Sequence, residues 1–125
     1  MTTTTNKKLS LYERLGGEKG LRKLVNDILD KNFNNPEIGH HFKNVDMNKL
    51  KQLVFEFFSM GIGGPHTYTG RDMRSAHAKL GLGEKDFNIG NDDVSKALQE
   101  NGIGKEEIDE VISILNSMKG DVVSA

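Results

Sequence analysis

Four histidines, His40, His41, His66 and His77, are the side chains of this sequence best suited to a soft or borderline metal ion. No cysteine accompanies them, which excludes thiolate zinc sites, cysteine nucleophiles and disulfides. A structural zinc site takes four ligands at recognisable spacings, and no two histidines stand at i and i+4 on one helix. His40 and His41 are neighbours that point in different directions on a helix. His40 and His66 read as solvated loop histidines. His77 differs. It follows Met73 by four residues and precedes Leu80 by three, so a short helix between Arg71 and Gly81 carries it on an apolar face. An inward histidine has two readings. One is a buried imidazole bonded to a backbone carbonyl. The other is the single nitrogen ligand of an iron porphyrin, which also needs an apolar cage. Phe42, Phe57, Phe58 and Phe87 could supply much of that cage, and could equally be ordinary core.

Helices must position these groups. Leu21, Leu24, Val25, Ile28, Leu29 and Phe33 follow helical spacing, with Lys23, Asn26, Asp27 and Asp30 opposite, and Asn34-Asn35-Pro36 ends the run. Met47, Leu50, Leu53, Val54, Phe57 and Phe58 form a second stripe. Asp46 is its expected N-cap, and Lys49, Gln52 and Glu56 form its wet face. Ser10-Leu11-Tyr12-Glu13 fits a capping box ahead of a helix cut short by Gly16-Gly17. Gly61, Gly63, Gly64 and Pro65 break the second stripe. Ile108, Val111, Ile112, Leu115 and Met118 mark the clearest helix. Phe87 to Asn101 reads as a weaker one because Gly90 interrupts it. No segment alternates with period two, so the expected fold class is all-α.

The chain has 125 residues, the size of one domain. Seventeen basic against eighteen acidic side chains give a net charge of −1, which argues against a nucleic-acid partner and against a polybasic membrane patch. No apolar run approaches the roughly 20 residues of a membrane span. The polar stretch Met1 to Lys8 has no apolar signal core. A cytoplasmic protein is therefore expected. Residues 1–9 read as a disordered N-terminal tail, 10–119 as the domain and 120–125 as a C-terminal tail.

Longer phrases narrow the reading. Leu11-Tyr12-Glu13-Arg14-Leu15-Gly16-Gly17, His41-Phe42-Lys43-Asn44-Val45-Asp46-Met47, Phe57-Phe58 before Gly63-Gly64-Pro65, and Tyr68-Thr69-Gly70-Arg71-Asp72-Met73 before Ala76-His77 occur in that order. Together, from about Ser10 to about Met118, they resemble the group I truncated haemoglobins. The resemblance implies a two-over-two helical sandwich in which 18–34 pairs with 47–61 and 87–101 with 105–119, around haem b (iron protoporphyrin IX). It implies that His77 is the proximal iron ligand. Phe42 would pack on the haem face and Met73 would touch haem one turn before His77. Tyr68 would lie near a propionate, with Arg71 and Arg74 the nearest cations. Leu50, Val54, Phe57, Phe58 and Phe87 would complete the cofactor's surroundings.

On the distal side the resemblance marks a departure. The family's tyrosine on the second helix falls on Leu29. Positions that often carry glutamine, lysine or histidine fall on Leu50, Leu53 and Val54. With Leu53 in place of a histidine, a bis-histidine site cannot close there, and Gln52 lies on the outer face by its helical angle. The implied function is reversible binding of a diatomic gas (O2, CO or NO) by a monomer. One alternative is a nitric oxide dioxygenase served by a separate reductase. Another is a haem-based gas sensor or a haem-free interaction module, although a haem-free descendant would be expected to lose His77.

Overall fold

The computed structural model describes residues 9–77 and 81–123. Residues 1–8 of the expected tail, and Leu80 of the His77 stripe, lie outside the described residues. The first helix, α1 (Leu11–Arg14), opens with the capping box that its sequence predicts. Ser10 Oγ accepts from the Glu13 amide at 3.2 Å, and Glu13 Oε1 accepts from the Ser10 amide at 3.1 Å. Gly16 and Gly17, at φ of 105° and 67°, turn the chain directly into α2 (Gly17–Asn34), a turn that a side chain would strain. A 3-10 turn (Gly39–Phe42) leads to α3 (Met47–Gly61), which Asp46 caps by accepting from the Lys49 amide at 3.2 Å. Then follow α4 (Met73–His77), α5 (Glu84–Glu100), α6 (Lys105–Ser117) and α7 (Lys119–Val122). The last of these occupies the start of the segment read as a tail, and it packs on α4. No strand occurs among the described residues.

α2 packs against both α3 and α5, and α5 packs against α6, giving the two-over-two sandwich. Its core joins Leu21, Leu24, Val25, Ile28 and Leu29 of α2 to Phe55 and Phe58 of α3, with Val94, Ala97 and Leu98 of α5 and Ile108 and Val111 of α6. The helix that sequence ranked weakest thus supplies some of the most buried groups, Ala97 at 0% and Leu98 at 1% exposure. Gly90 meets open space there, so it weakens α5 only through helix propensity. Leu98→Ala should cost about 2–5 kcal/mol, read as a lower melting temperature. An unchanged transition would mean that α5 does not pack as described.

Phe33 corrects the sequence reading. It is 47% exposed, and Asn32 takes the inward place at 8%. At 3.6 residues per turn Asn32 lies near the centre of the α2 stripe, and Phe33 roughly 110° round from it. Asn32 Nδ2 donates to Asp93 Oδ2 at 2.9 Å, and Asn35 Nδ2 donates to the same oxygen at 3.1 Å. These amides satisfy a buried carboxylate of α5 that would otherwise be costly. At the other end of the domain, Arg14 NH1 and NH2 donate to both oxygens of Glu110 at 2.6 and 2.9 Å, and NH1 also donates to Glu107 at 3.0 Å. This fork clamps α1 to α6 and holds the Glu110 carboxyl below its usual range. Among the described residues, no helix is long and apolar enough to cross a membrane.

Candidate functional site

α3 has two apolar faces. Phe55, Phe58 and Ser59 are buried. The mean direction of Met47, Leu50, Leu53, Val54 and Phe57 lies roughly 130° from theirs, with Phe58 at the border between the two faces, and these five are only half-buried. Phe57 on this second face meets the edge of Tyr68, in the segment leading to α4, with ring centroids 5.2 Å apart. Leu50 and Val54 pack against the core cluster that contains Leu29, itself 5% exposed. The second face is therefore an apolar wall backed by core. The four side chains Leu29, Leu50, Leu53 and Val54 carry no donor or acceptor atom.

His77 ends α4 and is half-buried. Its Nδ1 lies 2.8 Å from the Met73 carbonyl oxygen. A carbonyl only accepts, so Nδ1 carries the proton and donates it, leaving the Nε2 lone pair available to a metal. Met73 is half-buried one turn earlier.

Phe42 is half-buried against the same cluster, while Phe58 and Phe87 are buried at 9% and 8% exposure. Phe42 and Phe87 are joined through their neighbours. His41 Nε2 is buried without a hydrogen-bond partner and lies 3.8 Å from Asp86 Oδ1. The Gly83 amide donates to Asp86 Oδ2 at 2.9 Å, which is the main reason its carboxyl sits below the usual range, and the nearby His41 adds to this.

The remaining candidates gather around α4. The Tyr68 hydroxyl donates to the Arg71 carbonyl, and burial raises its pKa. Arg71 NH1 donates to the Ser75 carbonyl at 3.4 Å, and Arg74 NH2 to Asp121 of α7 at 3.2 Å. Arg74 is 75% exposed in its side chain, so both arginines belong to the outer side of α4.

His66 departs from the reading as a solvated loop residue. It is half-buried, with Nδ1 2.8 Å from Ser59 Oγ and its ring edge-on to Phe55 at 4.7 Å. Phe55 itself was missed. Its signal was the spacing Phe55, Phe58, Ser59, Ile62, which marks the buried face of α3. Gln52 is exposed as expected. Its Oε1 accepts from Arg22 at 2.9 Å and its Nε2 donates to Glu56 at 2.9 Å.

This donor set fits a haem. It offers one imidazole with its tautomer fixed, and on α3 an apolar wall whose side chains carry no donor atom. Among the described residues no cluster of three histidine or carboxylate groups could hold a metal ion instead.

Comparison with known proteins agrees with this geometry. Residues 10–124 match the family model of the bacterial-like globins. A group 1 truncated haemoglobin of Tetrahymena pyriformis is 29% identical over 94% of this chain and 98% of its own length. Another, from Synechocystis sp., is 32% identical over 84% and 88%. Among solved structures, the truncated haemoglobin of Tetrahymena pyriformis in its Fe(III) form superposes with a TM-score of 0.89 at 27% identity, covering 94% of this chain and 100% of that one. The 2/2 haemoglobin of Synechococcus sp., solved in the cyanomet state with covalently attached heme, gives 0.86 at 31%, covering 92% and 98%.

Proposed function

Because the chain belongs to the bacterial-like globin family, among its group I truncated haemoglobins, we propose that it holds haem b through His77 and takes a diatomic gas at the iron, against an apolar distal wall. The observation that carries this reading is the His77 imidazole, pinned through Nδ1 to the Met73 carbonyl with Nε2 left for the metal. When bound, haem would supply an iron able to take O2, CO or NO. The chain does the rest. The Met73 carbonyl fixes the imidazole plane and raises its basicity as a ligand. Phe42, Phe57, Phe58, Phe87 and Met73 provide apolar contact and keep water out. Tyr68, Arg71 and Arg74 would be the polar groups that meet the propionates. Leu29, Leu50, Leu53 and Val54 present only hydrocarbon to the gas.

Of the polar side chains near that distal wall, Gln52 and His66 are engaged elsewhere, while His41, ahead of α3, keeps a buried Nε2 without a hydrogen-bond partner. Gln52 is bonded to Arg22 and Glu56 on the outer face, and His66 to Ser59 on the buried face. Haem-reconstituted protein should therefore show a Soret band and a five-coordinate, high-spin ferrous spectrum that shifts on adding carbon monoxide. A split low-spin ferrous spectrum that His41→Ala abolishes would overturn this, since His41 would then be an axial ligand. Consumption of nitric oxide in the presence of dioxygen and a reductant separates an enzyme from a gas binder.

A further inference from the structure

α4 has five residues, too few to hold a helix by themselves, so something outside it must fix where His77 stands. The segment between α3 and α4 runs back along α3 and is tied to it at successive points. The Gly64 amide donates to the Ser59 carbonyl at 2.7 Å, and His66 Nδ1 meets Ser59 Oγ at 2.8 Å. A Cβ on Gly64 would overlap Ser59 Oγ and the Tyr12 ring, which shows how closely this start is seated. The last polar tie to α3 before α4 is made by Glu56. Its Oε1 accepts from the Thr69 amide at 3.0 Å and from the Thr69 hydroxyl at 2.7 Å.

Glu56 is itself held in place. Gln52 donates to its other oxygen, Arg22 donates to Gln52, and Arg22 Nε donates to Glu18 at 3.1 Å while its guanidinium lies 4.0 Å from the Phe55 ring centre. A relay thus runs across the outer surface from the first turn of α2 to Thr69. From Thr69 the chain needs only Tyr68, bonded to Arg71, and Asp72, which accepts from the Ser75 amide at 3.2 Å, to set the course of α4. An isolated surface ion pair counts for little. Here one carboxylate accepts three hydrogen bonds, two of them from a single residue of the segment that carries the histidine.

We propose that Glu56 is a positioning residue for the proximal histidine: its carboxylate, acting through Thr69, fixes the segment ahead of α4 and thereby the orientation of the His77 imidazole toward the iron. This rests on the reading of His77 as the iron ligand. The Thr69 hydroxyl is the main reason that the Glu56 carboxyl titrates below its ordinary value of 4.5. The tie is therefore complete above that value and is released only as pH falls through the lowered one.

The test uses Glu56→Ala, Thr69→Val and Glu56→Gln. Hydrogen exchange is measured on the apoprotein, and the iron–imidazole stretching band by resonance Raman on the ferrous haem-loaded protein. Glu56→Ala should speed exchange at the Thr69 amide by about tenfold or more. It should also shift and broaden the stretching band, with a melting temperature close to that of the wild type. Thr69→Val should move the band in the same direction by less, because its amide still donates. Glu56→Gln should restore part of the wild-type position, because its amide oxygen still accepts. A band present in the wild type and unmoved in Glu56→Ala overturns the proposal alone. A wild type with no such band, or one that persists in His77→Gly, overturns the ligand reading and this proposal with it.

Discussion

His77→Gly should lose haem on gel filtration and regain it when imidazole is added to the buffer. The imidazole of His77 is the one donor on the apolar side of α4 whose second nitrogen is already committed to a backbone carbonyl. On the proposed reading, removing it would leave the apolar wall of α3 to hold the porphyrin by dispersion and burial alone. Glycine also weakens α4, so loss of haem without rescue would say only that the segment had frayed. Rescue by free imidazole shows that the cavity and its approach survive and that the lost group was the ligand. A ligand that binds only the folded state adds about 4 kcal/mol of stability at a thousand times its dissociation constant. The haem-dependent part of the thermal stability should therefore vanish in this variant, while the apoprotein transition stays close to wild type. An unchanged ferrous spectrum in His77→Gly would mean that a different residue holds the iron.

Leu29→Tyr should slow dioxygen release by tenfold to a hundredfold and change carbon monoxide binding little. Dioxygen as a ligand draws electron density from iron and carries partial negative charge, whereas carbon monoxide carries little. A hydrogen bond to a charged acceptor is worth on the order of 1.5–3 kcal/mol, and each 1.4 kcal/mol is about tenfold. The wild-type wall of Leu29, Leu50, Leu53 and Val54 offers no such bond, so dioxygen should leave quickly and carbon monoxide should be strongly preferred. Leu29 is 5% exposed and belongs to the core cluster on which Leu50 and Val54 pack, so a tyrosine there would put a donor against that wall. Stopped-flow measurement of both gases decides the matter. Slow dioxygen release already present in the wild type would mean that a donor from elsewhere reaches the gas.

The helices were legible because burial on one face imposes a period that the residue types display. The α2 and α6 stripes and both caps, Ser10 and Asp46, needed no more than local spacing. α5 was underrated because Gly90 weakens its propensity, while Ala97 and Leu98 draw their importance from packing that propensity does not contain. Phe33 was misplaced by following apolar type instead of helical angle. The inward Asn32 makes sense only once Asp93, distant in sequence, is brought beside it. At the site, the company of His77 was readable from its phrase, and its bond to Met73 follows from a helical turn. The buried face of α3 through Phe55 and the Glu56–Thr69 tie were not read. The first lay behind an assumption that one helix has one apolar stripe. The second joins a helix to a glycine-rich stretch that has no period at all.

The Arg14 fork has a consequence for the order in which the molecule is made. Its partners Glu107 and Glu110 lie 93 and 96 residues further along the chain. At a synthesis rate of about 5–20 residues per second, a ribosome needs roughly 5 to 20 seconds to travel between them. Through that interval α1 leans on α2 and, once α3 is made, on the segment after it, where the Ile62 carbonyl accepts from the Tyr12 amide and Gly64 sits against the Tyr12 ring. The guanidinium waits in water for its carboxylates. The clasp that fastens α1 to α6 can therefore close only when α6 has left the exit tunnel.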